Sequence, residues 1–176
     1  MHQFNRDKMN ELGFTPSHID FLADHGLPKS AAPFLSFGSE DDLKTLEEVY
    51  SIIDSIAKNK IHIGSDGEGN PICIDLENTS RVVICDHENN FLPKFMNSSV
   101  LELFNFLKVM KEFIDHIISK NGEDAFFDCK FSDNDFSELK SKFEQIDKDA
   151  LVENTFWCEE LGSLLADREF YQGNSK

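Results

Sequence analysis

The stretch from His62 to Glu77, HIGSDGEGNPICIDLE, constrains the fold more than any other. It resembles both a calcium-binding loop between helices and a β-hairpin, and the choice between them decides the fold class. Its oxygen-bearing side chains stand at positions one, three, five and twelve of a twelve-residue window, as in an EF-hand calcium loop: Asp66, Glu68, Asn70 and Glu77. However, position six of that loop requires Gly and is Pro71 here. The flanking runs KIHIG and PICIDL alternate as strands do, and the glycines between them permit a tight turn. The sequence therefore predicts a β-hairpin without calcium.

Further short runs extend this hairpin into a sheet. RVVICD reads as a third strand, and FLPKFM as a fourth in which Pro93 is tolerated only at an edge or a bulge. SAAPFLSFG, earlier in the chain, reads as an extended segment. Short strands between groups of helices predict an α+β fold. We expect an antiparallel sheet of about four to six strands, with helices packed on one face.

Start and stop signals mark the helices. Thr15 and Pro16 open a helix that Gly26 ends. A second helix is predicted to open at a capping box over Ser39–Asp42 and to continue through Leu43, Leu46, Tyr50, Ile53 and Ala57. The clearest helix begins at Ser99 with an S-x-x-E box and ends at Asn121-Gly122.

The last third of the chain is predicted to be helical. SDNDFSELKSKFEQI has helical spacing, whereas AFFDCKF before it is ambiguous. A final short helix is expected around Phe156, Trp157, Leu161 and Leu165. Trp157 has two interpretations, a core residue or an interface anchor, and the core is the more common role.

Composition narrows the classes of partner. The 176 residues carry a net charge of −16, spread over both halves. Such a chain is repelled by nucleic acids and by anionic membranes, so we expect neither as a partner. A basic protein would be attracted to it, although acidity also serves solubility alone.

The sequence also indicates the cellular compartment and the number of domains. The N-terminal residues lack the apolar core of a signal peptide, and no run approaches the roughly 20 apolar residues of a membrane span. The four cysteines show no CxxC spacing and are expected to be reduced and packed. We therefore expect one cytoplasmic domain comprising residues 1–176.

The polar triplet Asp86, His87 and Glu88 is the strongest candidate for metal or catalytic chemistry. Neighbouring residues on a strand point to opposite faces, so the three converge on one ion only if the strand bulges. No nucleophile-elbow, P-loop, zinc-protease or dinucleotide-binding motif occurs. We expect no catalytic residue, no metal and no cofactor; a metal-dependent enzyme using residues 86–88 is the least favoured alternative.

The order of several segments resembles the SUKH superfamily, and most closely its fourth subgroup of bacterial immunity proteins. The most specific part is the block IGSDGEGNPICID, VVICDHE and NSS. It is accompanied by FLADHGLPKSAAPFLSF, KFMNSSVLELFNFL and, more weakly, FWCEEL. The resemblance implies an α+β domain on an antiparallel sheet. It also implies a non-enzymatic protein that binds and neutralises a cognate toxin domain, for example a nuclease, in the cytoplasm.

Most positions that carry this resemblance are expected to be structural: Gly64, Ser65, Asp66, Gly67, Gly69, Asn70, Pro71, Ile72, Asp75, Val83, Asp86, His87, Asn97, Ser98 and Ser99. For the partner-binding surface we predict exposed acids at hairpin tips and strand ends: Asp66, Glu68, Glu77, Asp86 and Glu88. The alternative is that these are ordinary solvated loop acids. A general protein-interaction module of the SUKH type is the second functional hypothesis, and the sequence predicts no oligomeric state.

Overall fold

The chain forms an α+β structure in which helices flank a sheet built from consecutive strands. A computed structural model describes residues 1–51 and 55–173. These fall into two compact units, Met1–Phe104 and Asn105–Lys176. The predicted fold class is confirmed.

The first unit holds the sheet and the shorter helices. Its helices are α1 Arg6–Glu11, α2 Pro16–Asp24, α3 Leu46–Tyr50 and α4 Ser55–Lys58. Its strands are β1 Ser30–Ala31, β2 Leu35–Phe37, β3 Lys60–Ser65, β4 Pro71–Asp75, β5 Arg81–Asp86 and β6 Leu92–Asn97. Helix α5, Val100–Asn121, begins in this unit, and Gly122 after it has a positive φ of 104°, as the predicted helix end requires.

The six strands form one antiparallel sheet in sequence order, β1-β2-β3-β4-β5-β6. Strand β3 pairs with β4 through partners such as Ile61 and Ile74, which confirms the hairpin. Strand β6 lies at an edge of the sheet, one of the two positions at which the sequence allowed Pro93.

Strand β4 is buried on both faces of the sheet. All five residues of Pro71–Asp75 are buried, which suits a run that is apolar at nearly every position. On one face, Cys73, Val83 and Cys85 pack with Leu46 of α3 and Ala57 of α4. The four cysteines are free.

The prediction of one helix opening at Ser39 was wrong. Leu43 adopts a left-handed φ of 59°, and its N–H donates to the carbonyl of His62 at 2.9 Å. The N–H of His62 in turn donates to the carbonyl of Lys44 at 2.8 Å, so this segment lies along β3 instead of coiling. The capping box is formed by Thr45 and Glu48, and α3 begins only at Leu46. Ile53, which the prediction included, lies outside the described residues.

The regular structure described in the second unit is all helical. The remainder of α5 is followed by α6 Asp133–Asp147, a 3-10 helix Lys148–Leu151 and α7 Phe156–Gly173. The AFFDCKF segment forms turns. Trp157 is fully buried, with ring centroids 5.3 Å from both Phe106 and Phe143, so it is a core residue. Helix α7 has 18 residues and is longer than predicted.

Candidate functional site

Two turns of the sheet lie at the same end because the strands form an antiparallel meander. The β3–β4 turn holds Asp66–Asn70, and the β5–β6 turn follows Asp86. The two turns are joined directly: the side-chain oxygen of Asn70 accepts from the His87 backbone N–H at 3.1 Å and lies 2.8 Å from His87 Nδ1. We call residues 66–70 and 86–91 together the acidic end.

Asp66 fixes the first of these turns. One oxygen of its carboxylate accepts hydrogen bonds from the backbone N–H groups of Glu68 and Asn70 at 2.9 and 2.8 Å, and the other accepts from Asn70 Nδ2 at 2.9 Å. Such bonds from an Asp side chain to the following backbone stabilise a turn. Gly69 completes it with a φ of 92°, which strains most other residues.

The carboxylate of Asp86 stabilises the second turn in the same way. Its Oδ1 accepts from the backbone N–H groups of Glu88 and Asn89 at 3.0 and 3.2 Å. Its carbonyl also accepts from the N–H of Phe91 at 2.8 Å. The carboxylates of Asp66 and Asp86 therefore shape the turns and carry negative charge at the same time.

Glu68 and Glu88 differ from these two aspartates. Both are exposed, and within the described residues no hydrogen bond or ion pair is made by either carboxylate. The acidic end carries four carboxylates and no Lys or Arg in its sequence. The arrangement suits an approaching positive group, because neither turn contributes a Lys or Arg of its own to neutralise these charges.

Glu77, the fifth predicted contact residue, lies at the opposite end of the sheet. It follows β4 in the β4–β5 turn and accepts a hydrogen bond from Asn59 Nδ2 at 2.6 Å. The structure thus brings together Asp66, Glu68, Asp86 and Glu88, and separates Glu77 from them.

The opposite end is organised by a buried ion pair. Lys60 Nζ lies 3.0 Å from Asp75 Oδ1, and the two side chains are 3% and 0% exposed. Asp75 also accepts from Asn78 Nδ2 and the Glu77 N–H. Burial opposes ionisation of Asp75, but hydrogen bonds from Asn78 and Lys60 and the charges of Lys60 and Arg81 outweigh it, so its pKa is lowered.

The sequence model of the SUKH-4 immunity protein family matches residues 1–164. The chain belongs to this family. The match confirms the resemblance seen in the sequence and covers residues of both compact units. No match was found among curated proteins or among solved structures.

Several resemblance-bearing positions of this SUKH-4 chain make structural contacts. A Cβ on Gly64 would lie 2.4 Å from the carbonyl oxygen of Ser36, so β2 and β3 pair closely only because Gly is present. Pro71 opens β4 opposite Ser65, and Asn97 is fully buried at the end of β6. Ser99 precedes α5, where its hydroxyl contacts Glu102 and accepts from the Leu101 N–H.

The side chains of Asp86 and His87 do not converge on a common point where a metal ion could bind. Asp86 is directed to turn amides, whereas His87 is directed to Asn70. Across residues 1–51 and 55–173, no three His, Cys, Asp or Glu side chains are arranged to hold a metal ion. Among the same residues, no helix has the length and apolarity needed to span a membrane.

Phe34 is a candidate contact residue that was not among those predicted from the sequence. This residue occupies the turn between β1 and β2 and is 81% exposed, the most exposed of the large hydrophobic side chains described. The signal in the sequence was a Phe immediately after Pro33 in a short extended segment, but nothing there distinguishes an exposed Phe from a buried one.

Proposed function

We propose that this chain is a non-enzymatic immunity protein that binds a cognate toxin domain and blocks it stoichiometrically. The observation that carries the proposal is the SUKH-4 family match over residues 1–164. A family of immunity proteins implies a toxin protein as partner. We also propose that residues 1–176 act as one domain, since the match extends across both compact units.

The acidic end is the proposed toxin-binding surface. It supplies exposed carboxylates on turns whose backbones are fixed by Asp66 and Asp86. A rigid turn presents its side chains with little loss of conformational entropy on binding. Glu77 is excluded from this surface because it lies at the other end of the sheet.

The charge of the chain favours a basic toxin. A net charge of −16 attracts a cationic domain over several ångströms and accelerates association at low salt. Nucleases that bind the phosphate backbone are commonly basic, so a nuclease domain is the proposed target class. A nuclease toxin acts where nucleic acid is, and we therefore propose a cytoplasmic location.

Co-expression in a susceptible bacterium tests the function. Each candidate toxin domain encoded near this gene is expressed with or without the chain, and survival is scored. We expect rescue from one toxin and a stable complex with it on size-exclusion chromatography. Death in every pairing, with the chain soluble and abundant, would contradict the proposal.

Charge reversal tests the surface separately. We expect Glu68→Lys/Glu88→Lys to lower the association rate constant for the rescuing toxin by about tenfold or more, because favourable steering becomes repulsion. The single change Glu68→Lys is compared with Glu77→Lys, which also reverses one exposed acid but at the opposite end. Glu77→Lys should change the rate much less than Glu68→Lys. Equal effects of the two changes would contradict the assignment.

A further inference from the structure

The backbone at Phe34 is strained and its side chain is exposed. Its φ is 56°, in the left-handed region that bulky side chains rarely adopt. Its ring is 81% exposed and, among the described residues, forms no aromatic pair or cation–π contact. The left-handed backbone opposes folding, and a ring that stays exposed gains little from it, so the stability of the free protein does not explain a Phe at this position.

Phe91 has a similarly strained backbone, but its side chain packs inside the protein. It has the same φ of 56° and lies in the β5–β6 turn. Its ring, however, is 4.7 Å from that of Tyr50, and it packs on the buried cluster that includes Cys73 and Cys85. Packing therefore offsets the strain at Phe91, whereas the Phe34 ring packs on no aromatic partner within residues 1–51 and 55–173 and stays largely exposed.

Phe34 lies beside the acidic end. Strand β2 begins at the next residue and pairs with β3 through Ser36 and Ser65, whose hydroxyl oxygens are 3.1 Å apart. A Cβ built on Gly67 would lie 3.0 Å from the Phe34 Cβ, so the base of the side chain rests against the β3–β4 turn. The unpaired carboxylate of Glu68 is on the residue that follows Gly67.

We propose that Phe34 is the apolar anchor of the toxin contact, inserting into an apolar pocket bordered by Lys or Arg side chains of a basic protein domain. This inference rests on the proposed function. An aromatic side chain buries a large area while losing few rotamers, which is why such residues dominate binding energy at interfaces. The neighbouring acids pair with the basic border of the pocket and supply orientation.

Charge argues against other occupants of this surface. A second copy of the chain would bring the same acidic turns together, with a net charge of −16 on each copy. An anionic membrane would be repelled in the same way. A basic protein is the occupant for which both the exposed aromatic ring and the surrounding acids are favourable.

The test uses Phe34→Ala in the full chain, with Phe127→Ala as the matched control. Phe127 is 71% exposed but lies in the second unit, away in sequence from the acidic end. Binding is measured by surface plasmon resonance against the toxin domain identified by rescue, and the melting temperature of each free variant is recorded. We expect Phe34→Ala to raise Kd by about 30-fold or more, mainly through faster dissociation, with an unchanged or higher melting temperature. Phe127→Ala should leave Kd within about twofold of wild type.

The possible failures are distinguishable. Wild-type affinity in Phe34→Ala, while the wild-type chain binds its toxin, would overturn the anchor and leave the immunity function standing. A dimer of the wild-type chain in sedimentation that Phe34→Ala abolishes would overturn the proposed occupant. A wild-type chain that binds no toxin domain would overturn the proposed function and the anchor with it.

Discussion

At the scale of single residues, the chain separates side chains that hold the sheet from those available to a partner. Asp75 is fully buried beside Lys60, and its charge is matched inside the protein. Glu68 and Glu88 are exposed carboxylates that make no described contact. Residues of the same charge therefore serve different purposes, and burial together with partners distinguishes them.

Removing the charge of Asp75 should strongly destabilise the fold. Asp75→Asn leaves the ammonium group of Lys60 buried without its counter-charge, and we expect a loss of about 3–5 kcal/mol in the free energy of unfolding. Urea denaturation at pH 7 measures it. The double variant Lys60→Met/Asp75→Asn removes the buried cation and should recover much of the loss. A loss below about 1 kcal/mol in the single variant would show that the pair is well solvated.

Gly64 should tolerate no side chain. The Cβ of Gly64→Ala would meet the Ser36 carbonyl oxygen at 2.4 Å and the Phe37 ring at 2.6 Å, so β2 must shift away from β3. We expect a loss of about 1–3 kcal/mol, as for other overpacked sites. Gly162→Ala is the control: it lies within α7 with no atom near the new methyl group, and should stabilise by up to about 1 kcal/mol. Equal effects of the two changes would refute the close-approach explanation.

At the scale of elements, the N-terminus of α6 shows how capping couples to pH. The Asp135 carboxylate accepts from the hydroxyl and the backbone N–H of Ser132 at 2.6 and 2.8 Å, while the Ser132 hydroxyl accepts from the Asp135 N–H. These bonds from Ser132, together with the charge of Lys120, lower the pKa of Asp135 to about 2. The capping box thus stabilises α6 chiefly when Asp135 is ionised.

The contribution of Asp135 should disappear in acid. Its pKa in the folded chain is about 2, below the value of roughly 3.9 for an unfolded Asp. The stabilisation is therefore complete above about pH 5 and is lost as pH falls through 4 towards 2. We expect Asp135→Ala to cost about 1–2 kcal/mol at pH 7 and much less near pH 2. Glu144→Ala, an exposed change later in α6, controls for helix propensity; a cost for Asp135→Ala that does not vary with pH would contradict the mechanism.

The elements that the sequence predicted are those whose signals are local. Strands β3 to β5 combine β-branched residues with turn residues between them, and α5 has both its capping serine and its terminal Asn-Gly. The region after Ser39 was mispredicted because Leu43 and Lys44 hydrogen-bond to His62, almost twenty residues later in the chain. Such a long-range contact overrides helical periodicity and leaves no trace in the local pattern.

The candidate site was predictable only in part for the same reason. The acids of two turns were identified in the sequence, but their proximity depends on the strand order, which separates Glu77 from the other four. The exposure of Phe34 depends on where its neighbours lie in three dimensions. Apolar residues are usually placed in the core by sequence reasoning, so an exposed aromatic ring is recognised only in the structure.

At the scale of the whole molecule, the excess of negative charge should raise the association rate constant with a basic toxin. Raising NaCl from about 50 to 500 mM shortens the screening length severalfold and should lower the association rate constant by about tenfold or more. The dissociation rate constant should change little, because it depends mainly on the contacts already formed. Stopped-flow fluorescence over this salt range measures both, and an association rate independent of salt would contradict the role assigned to charge.

The most direct test of the account is a titration of toxin activity with the purified chain. The toxin domain is fixed at a concentration well above Kd, and its residual activity is followed as the immunity protein is added. Neutralisation by binding predicts a linear fall that reaches zero at one chain per toxin. Complete inactivation at a small fraction of one equivalent would show turnover, and activity unchanged at a large excess would show that the chain does not neutralise this toxin; either result would contradict the central claim.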